Sequence, residues 1–122
     1  MVNLERWNLN TLEIARSIIE TLEDHKGEKI LLLDIHDLAI FTDYFIICTG
    51  TSDRMIDSLA DAVRETAKQK HGIIARSEGK SSDGWDVVDL GDIVVHLFSP
   101  DQRDYYKLEE LWSEGRVLLR LQ

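Results

Sequence analysis

The chain has 122 residues, 43% hydrophobic and 30% charged, with one proline and one cysteine, Cys48. That length suits a single domain, 1–122, whose core needs neither disulfides nor a metal, and a lone cysteine excludes an intramolecular disulfide and fits a reducing compartment. The net charge of −9, from 23 acidic and 14 basic residues with no basic cluster, argues against a direct nucleic-acid site and leaves a basic protein partner or a merely soluble acidic surface.

The N-terminus, Met-Val-Asn-Leu-Glu-Arg-Trp, has no basic region followed by an apolar stretch and does not look like a signal or transit peptide. No apolar run approaches the roughly 20 residues of a membrane helix. The expectation is a soluble, cytoplasmic protein with no membrane partner. Residues 10 to 25 then read as a helix, capped by Asn10 with Glu13 as its capping-box partner and ended by Gly27. Leu12, Ala15, Ile18, Ile19 and Leu22 form its apolar face. Residues 29 to 35 and 44 to 49 are short apolar runs of strand length, the first expected to be buried on both faces.

Gly50-Thr51-Ser52 turns the chain into a second helix, reaching about Gln69, with Ile56, Leu59, Ala60, Val63 and Ala67 as its stripe. Gly72 ends it and a short strand is predicted near 73 to 76. Residues 77 to 84 form the most loop-like stretch. Strands at 85 to 90 and 93 to 98 follow, joined by the hairpin signal Gly91-Asp92. Ser99-Pro100-Asp101 starts a third helix on which Tyr105, Leu108, Leu111 and Trp112 are expected to face one way. The tail 116 to 122 reads equally as a strand or an apolar extension. The order of elements predicts an α/β (α+β) domain, a mixed sheet flanked by helices.

Catalytic chemistry is hard to find. His25, His36, His71 and His96 are isolated, without metal-site spacing. Cys48 sits in an apolar strand, where a cysteine behaves as a small hydrophobe. The Gly50-Thr51-Ser52 turn resembles a phosphate-binding junction, but the strand after its helix offers no carboxylate pair for a divalent ion, and a helix cap explains it as well. Asp83, Asp86, Asp89 and Asp92 do not converge, because alternate strand residues point to opposite faces. A nucleotidyltransferase-like enzyme using Thr51, Ser52, Asp57 and Asp61 remains one alternative, and an adaptor with another partner is a second. No cofactor is expected. What stands out is Trp85, opening a strand after a loop, with Asp89 on its face and His96 and Phe98 on the neighbouring strand. It is either a protein-binding anchor or a core residue beneath the loop.

Several segments carry a resemblance. They are Thr42-Asp43-Tyr44-Phe45-Ile46-Ile47, Gly50-Thr51-Ser52-Asp53-Arg54, Glu78-Gly79, the run Trp85 to Phe98, and Arg103-Asp104-Tyr105-Tyr106-Lys107-Leu108-Glu109-Glu110-Leu111-Trp112. The chain resembles the ribosomal silencing factor, or Iojap, family from its first helix to Trp112. The resemblance implies a nucleotidyltransferase-like domain without catalytic carboxylates, hence no enzyme. It also implies binding to universal large-subunit ribosomal protein fourteen, a block on subunit joining when nutrients run short, and a homodimer when free. The surface it carries over is Trp85, Asp89, Asp92, His96, Phe98 and Tyr106. Asp86 departs from the family pattern, which has an apolar residue there, and puts the packing of that strand's second face in question.

Overall fold

The computed structural model describes residues 4–122, with side chains from Asn10 onwards, so Met1 to Asn3 of the N-terminal stretch discussed above lie outside the described residues. In chain order the elements are α1 (Leu4–Asp24), β1 (Glu28–Asp34), β2 (Tyr44–Thr49), α2 (Asp53–His71), β3 (Arg76–Lys80), a 3₁₀ turn (Ser81–Asp83), β4 (Trp85–Asp89), β5 (Ile93–Phe98), α3 (Pro100–Tyr106), α4 (Leu108–Leu111) and β6 (Arg116–Leu121). The six strands make one mixed sheet in the order β3-β4-β5-β2-β1-β6. Central β2 and β5 run parallel, Tyr44 beside Ile93 through Thr49 beside Phe98. The other neighbours pair antiparallel.

Because β2 and β5 are apolar on both faces and buried at every position, the sheet must be covered on both sides. One face carries Ile30, Leu32, Ile46, Val88, Val95 and Leu97 against the apolar stripes of α1 and α2. The α2 stripe is buried at each of the five expected positions, Ile56, Leu59, Ala60, Val63 and Ala67. Ser52 Oγ accepts from the Met55 N–H at 3.1 Å and Gly72 closes the helix at φ 66°. Gly50 is required by packing: a Cβ there would lie 2.8 Å from Ile56 Cγ1. Strand end, turn and helix therefore press together as a cap.

Three expectations change and one open alternative is settled. α1 begins at Leu4, so Asn10 lies inside it rather than capping it; no Gly or Pro precedes Asn10 from Leu4 onwards, and an interior Asn costs only about 0.7 kcal/mol. Residues 73 to 75 are not strand, and the edge strand is β3, Arg76–Lys80, inside much of the predicted loop. Exposed at all five positions, β3 has no apolar alternation to betray it. The third helix breaks at Lys107, which adopts the left-handed conformation at φ 48°. The break takes Tyr105 and Leu111 out to solvent while Leu108 is buried, so the four residues do not share a face. Finally, the tail is a strand, β6, paired with β1 from Ile30 beside Leu121 to Asp34 beside Arg116.

A candidate partner-binding well on the open face of the sheet

The second face of the sheet carries Leu31, Leu33, Phe45, Ile47, Val94 and Phe98. Among the described residues the short α3–α4 unit covers it, with Ala39 and Phe41 of the β1–β2 loop at one side. Arg103 ties that unit down: its guanidinium donates to the Lys29 carbonyl and to Thr49 Oγ1, and its Nε pairs with Glu109 Oε1 at 3.3 Å. The cover is incomplete, and beside it lies a well of about 660 Å³.

Aromatic rings build this well. Trp85, first residue of β4, stacks on Phe98 with centroids 5.0 Å apart and leans on Tyr106 at 4.5 Å. Its indole N–H donates to His96 Nδ1 at 3.2 Å. Phe45 meets His96 edge-on at 4.6 Å and Trp112 at 5.5 Å, both in T-shaped contacts. Phe41 closes the far wall, 6.1 Å from Trp112. Val87 and Val94 line the floor, and Glu78, Asp83 and Asp89 stand on the β3–β4 side.

The hydrogen bond fixes the histidine's state. An indole nitrogen can only donate, so His96 Nδ1 must accept and the ring is neutral with its proton on Nε2. Burial to 7% exposure agrees, and desolvation pushes the His96 pKa down to about 4. Nε2 has no hydrogen-bond partner. An indole held this way presents a rigid, partly exposed apolar surface.

Of the six residues that the resemblance carried over, Trp85, Asp89, His96 and Tyr106 line the well. Phe98 is fully buried and supports Trp85 from beneath. Asp92 lies outside the well, in the turn, where its carbonyl accepts the Asp43 and Tyr44 N–H groups, both at 3.1 Å. Asp89 also shapes that turn, its Oδ1 accepting from Gly91 N–H at 2.7 Å. Sequence reasoning missed Phe41, Phe45, Leu108, Trp112, Glu78 and Asp83 as lining residues. Phe45 alone had a signal, since strand alternation separates it from Tyr44. Using that signal required knowing that β2 lies beside β5.

Asp86 points to the other face, buried between Gly79 and Leu97 of the neighbouring strands. Burial raises its pKa, Arg64 opposes the shift, and Asp57 and Asp61 reinforce it. Its Oδ1 has no partner; Arg64 instead bonds Asp61 and Ser77. Cys48 is also buried, and desolvation pushes its thiol up to about 12, so it stays protonated and unreactive. Among the described residues no group of three or more His, Cys, Asp or Glu side chains could hold a metal ion. Nor is any described helix long and apolar enough to cross a membrane.

Comparison with known proteins places these features. Residues 8–121 match the family model described as "Ribosomal silencing factor during starvation". The chain is 36% identical over 107 residues to ribosomal silencing factor RsfS of Bacillus subtilis, covering 88% of this chain and 91% of that one. It is 43% identical over 101 residues to RsfS of Chromobacterium violaceum, covering 83% of each. A crystal structure of a Chromobacterium violaceum protein superposes with a TM-score of 0.79 at 42% identity, over 84% of this chain and 85% of that one.

Proposed function

The chain belongs to the ribosomal silencing factor family, ribosome-binding repressors of translation in starvation, and from that premise we propose that the aromatic well is where it grips the large subunit. The large subunit is the partner that family membership gives. The finer reading names universal large-subunit protein fourteen as the protein bound and steric exclusion of the small subunit as the outcome. Binding, not catalysis, carries the activity. We read the scaffold as nucleotidyltransferase-like. Supporting this, a strand–turn–helix passes through Gly50-Thr51-Ser52 in a mixed sheet; β3, the strand after that helix, carries Glu78 alone and so offers no carboxylate pair for a divalent ion.

One observation carries the proposal: Trp85 is held by Phe98, Tyr106 and His96 at the mouth of a well with carboxylates along one side. An apolar side chain from the partner fills the well. Lysine or arginine beside it meets Glu78, Asp83 and Asp89, and these charges chiefly speed encounter and set register. The chain acts as one domain, 1–122, with no direct RNA site. When free it forms a homodimer, for which the uncovered apolar residues Val117, Leu118 and Leu119 on edge strand β6 leave surface available.

The test uses purified large subunits and isolated protein fourteen. Trp85→Ala, with its fold checked by circular dichroism, weakens binding by about 2 kcal/mol, some thirtyfold. Asp89→Asn, which can still accept from Gly91, slows association at low salt more than at high salt. Wild-type affinity in folded Trp85→Ala contradicts the assignment of the well.

A further inference from the structure

The segment between β1 and β2 carries an apolar feature that the well does not use. Ile40 is exposed over its whole side chain, at 106% of the reference area, and its neighbour Phe41 is 60% exposed. This is a braced loop. Leu38 and Ala39 N–H groups donate to the Ile35 carbonyl at 2.8 and 3.0 Å, and Ile35 N–H donates to the Asp43 carbonyl at 2.9 Å. Its end is pinned to the neighbouring turn by the two bonds that Asp92 accepts from Asp43 and Tyr44. Phe41 faces Phe45 and Trp112 and joins the wall of the well. Ile40 is left in water between the hydrogen-bonded residues Ala39 and Asp43.

A β-branched apolar side chain held wholly in solvent gains nothing for the fold. Its surroundings indicate what it would meet. Asp37, three residues before it and exposed, pairs with His36 at 3.1 Å; Asp43 and Asp92 meet at the end of the loop, and Asp89 lies at the same end of the sheet, so carboxylates outnumber the one histidine. Carboxylates around an apolar prong repel an anionic lipid surface and suit a basic protein. The prong is also continuous, through Phe41, with the well.

We propose that Ile40 is a second anchor of the large-subunit interface, entering an apolar socket bordered by basic side chains on the protein whose other contact fills the well. The proposal rests on the reading of the well given above. It also assigns Asp92 a place: its carbonyl braces the prong from outside the well.

Sedimentation with purified large subunits tests this, using Ile40→Ser, Ile40→Leu and Trp85→Ala side by side. Ile40 lies wholly in solvent, so its variants melt with the wild type. Ile40→Ser is expected to bind about tenfold more weakly and Ile40→Leu to bind nearly as the wild type does. If Ile40→Ser binds normally while Trp85→Ala does not, the prong is overturned and the well stands. The reverse result removes the well and overturns the proposal of two contacts on one protein, leaving Ile40 as an anchor by itself. Normal binding by both overturns both. If Ile40→Ser spares subunit binding but dissociates a homodimer in sedimentation equilibrium, the prong belongs to a second copy and the proposal fails. Loss only of binding to phosphatidylglycerol vesicles likewise overturns it.

Discussion

The two faces of the sheet are built from the same residue types and end in different states. The helix side packs Ile30, Leu32, Ile46, Val95 and Leu97 under α1 and α2, two helices of 21 and 19 residues. The opposite side packs Leu31, Leu33, Phe45, Ile47 and Phe98 under α3 and α4, of seven and four residues. Two long helices close one face; two short ones leave a well on the other. An apolar strand pattern thus fixes how much surface needs covering, and the length of the covering elements decides how much is left for a partner.

The largest expected effect comes from the closed face. Leu59→Ala leaves a cavity where Leu59 is fully buried and costs about 3 kcal/mol of stability. Affinity for large subunits, per folded molecule, stays the same. Equal damage to affinity and stability would break the division between the faces.

Comparable in size is an acid effect on the open face. His96 is neutral when folded, with its pKa down near 4 against an ordinary 6.5. Below pH 6.5 the unfolded chain takes up a proton that the folded one refuses. This contribution is therefore fully present above pH 6.5 and is lost as pH falls towards 4, about 3 kcal/mol in all. Thermal melts across that range show the loss in the wild type and a flatter profile in His96→Gln, whose amide oxygen can still accept from Trp85. Parallel profiles would mean that His96 does not titrate as its burial demands.

Smallest is the effect at Asp86, among the described residues the one charged side chain buried on the closed face. Asp86→Val should stabilise by about 1 kcal/mol at pH 7, since it removes a buried carboxylate with an unpartnered oxygen. Because burial raises the Asp86 pKa, the wild type regains stability as pH falls through that raised value, and the advantage of valine shrinks in acid. A destabilised Asp86→Val would show instead that Arg64 compensates the charge in full.

Much of this architecture was legible in advance. Every residue of the α2 stripe, a cap at Thr51 or Ser52 (Ser52 in the structure), the helix start at Ser99-Pro100-Asp101 and the Gly91-Asp92 hairpin follow from local chemistry. Edge strand β3 did not, because its exposed residues have no burial pattern to impose alternation on the sequence. The Lys107 break was also hidden, since a lysine seldom adopts the left-handed conformation and nothing nearby announces it. In the well, the rings of Phe41, Phe45 and Trp112 converge from three separate segments. Such a meeting depends on sheet order, and no local period encodes it. The resemblance carries Asp92 over with the rest of the surface, whereas the structure sets it outside the well with its backbone carbonyl serving the neighbouring loop.

The most direct test of the central claim is sedimentation of large subunits with this protein, wild type or Trp85→Ala, followed by addition of small subunits. The wild type is expected to pellet with the large subunit and to lower the joined-ribosome peak. Folded Trp85→Ala is expected to stay mostly in the supernatant and to leave joining normal. A Trp85→Ala protein that still pellets and still blocks joining would contradict the well as the site of silencing.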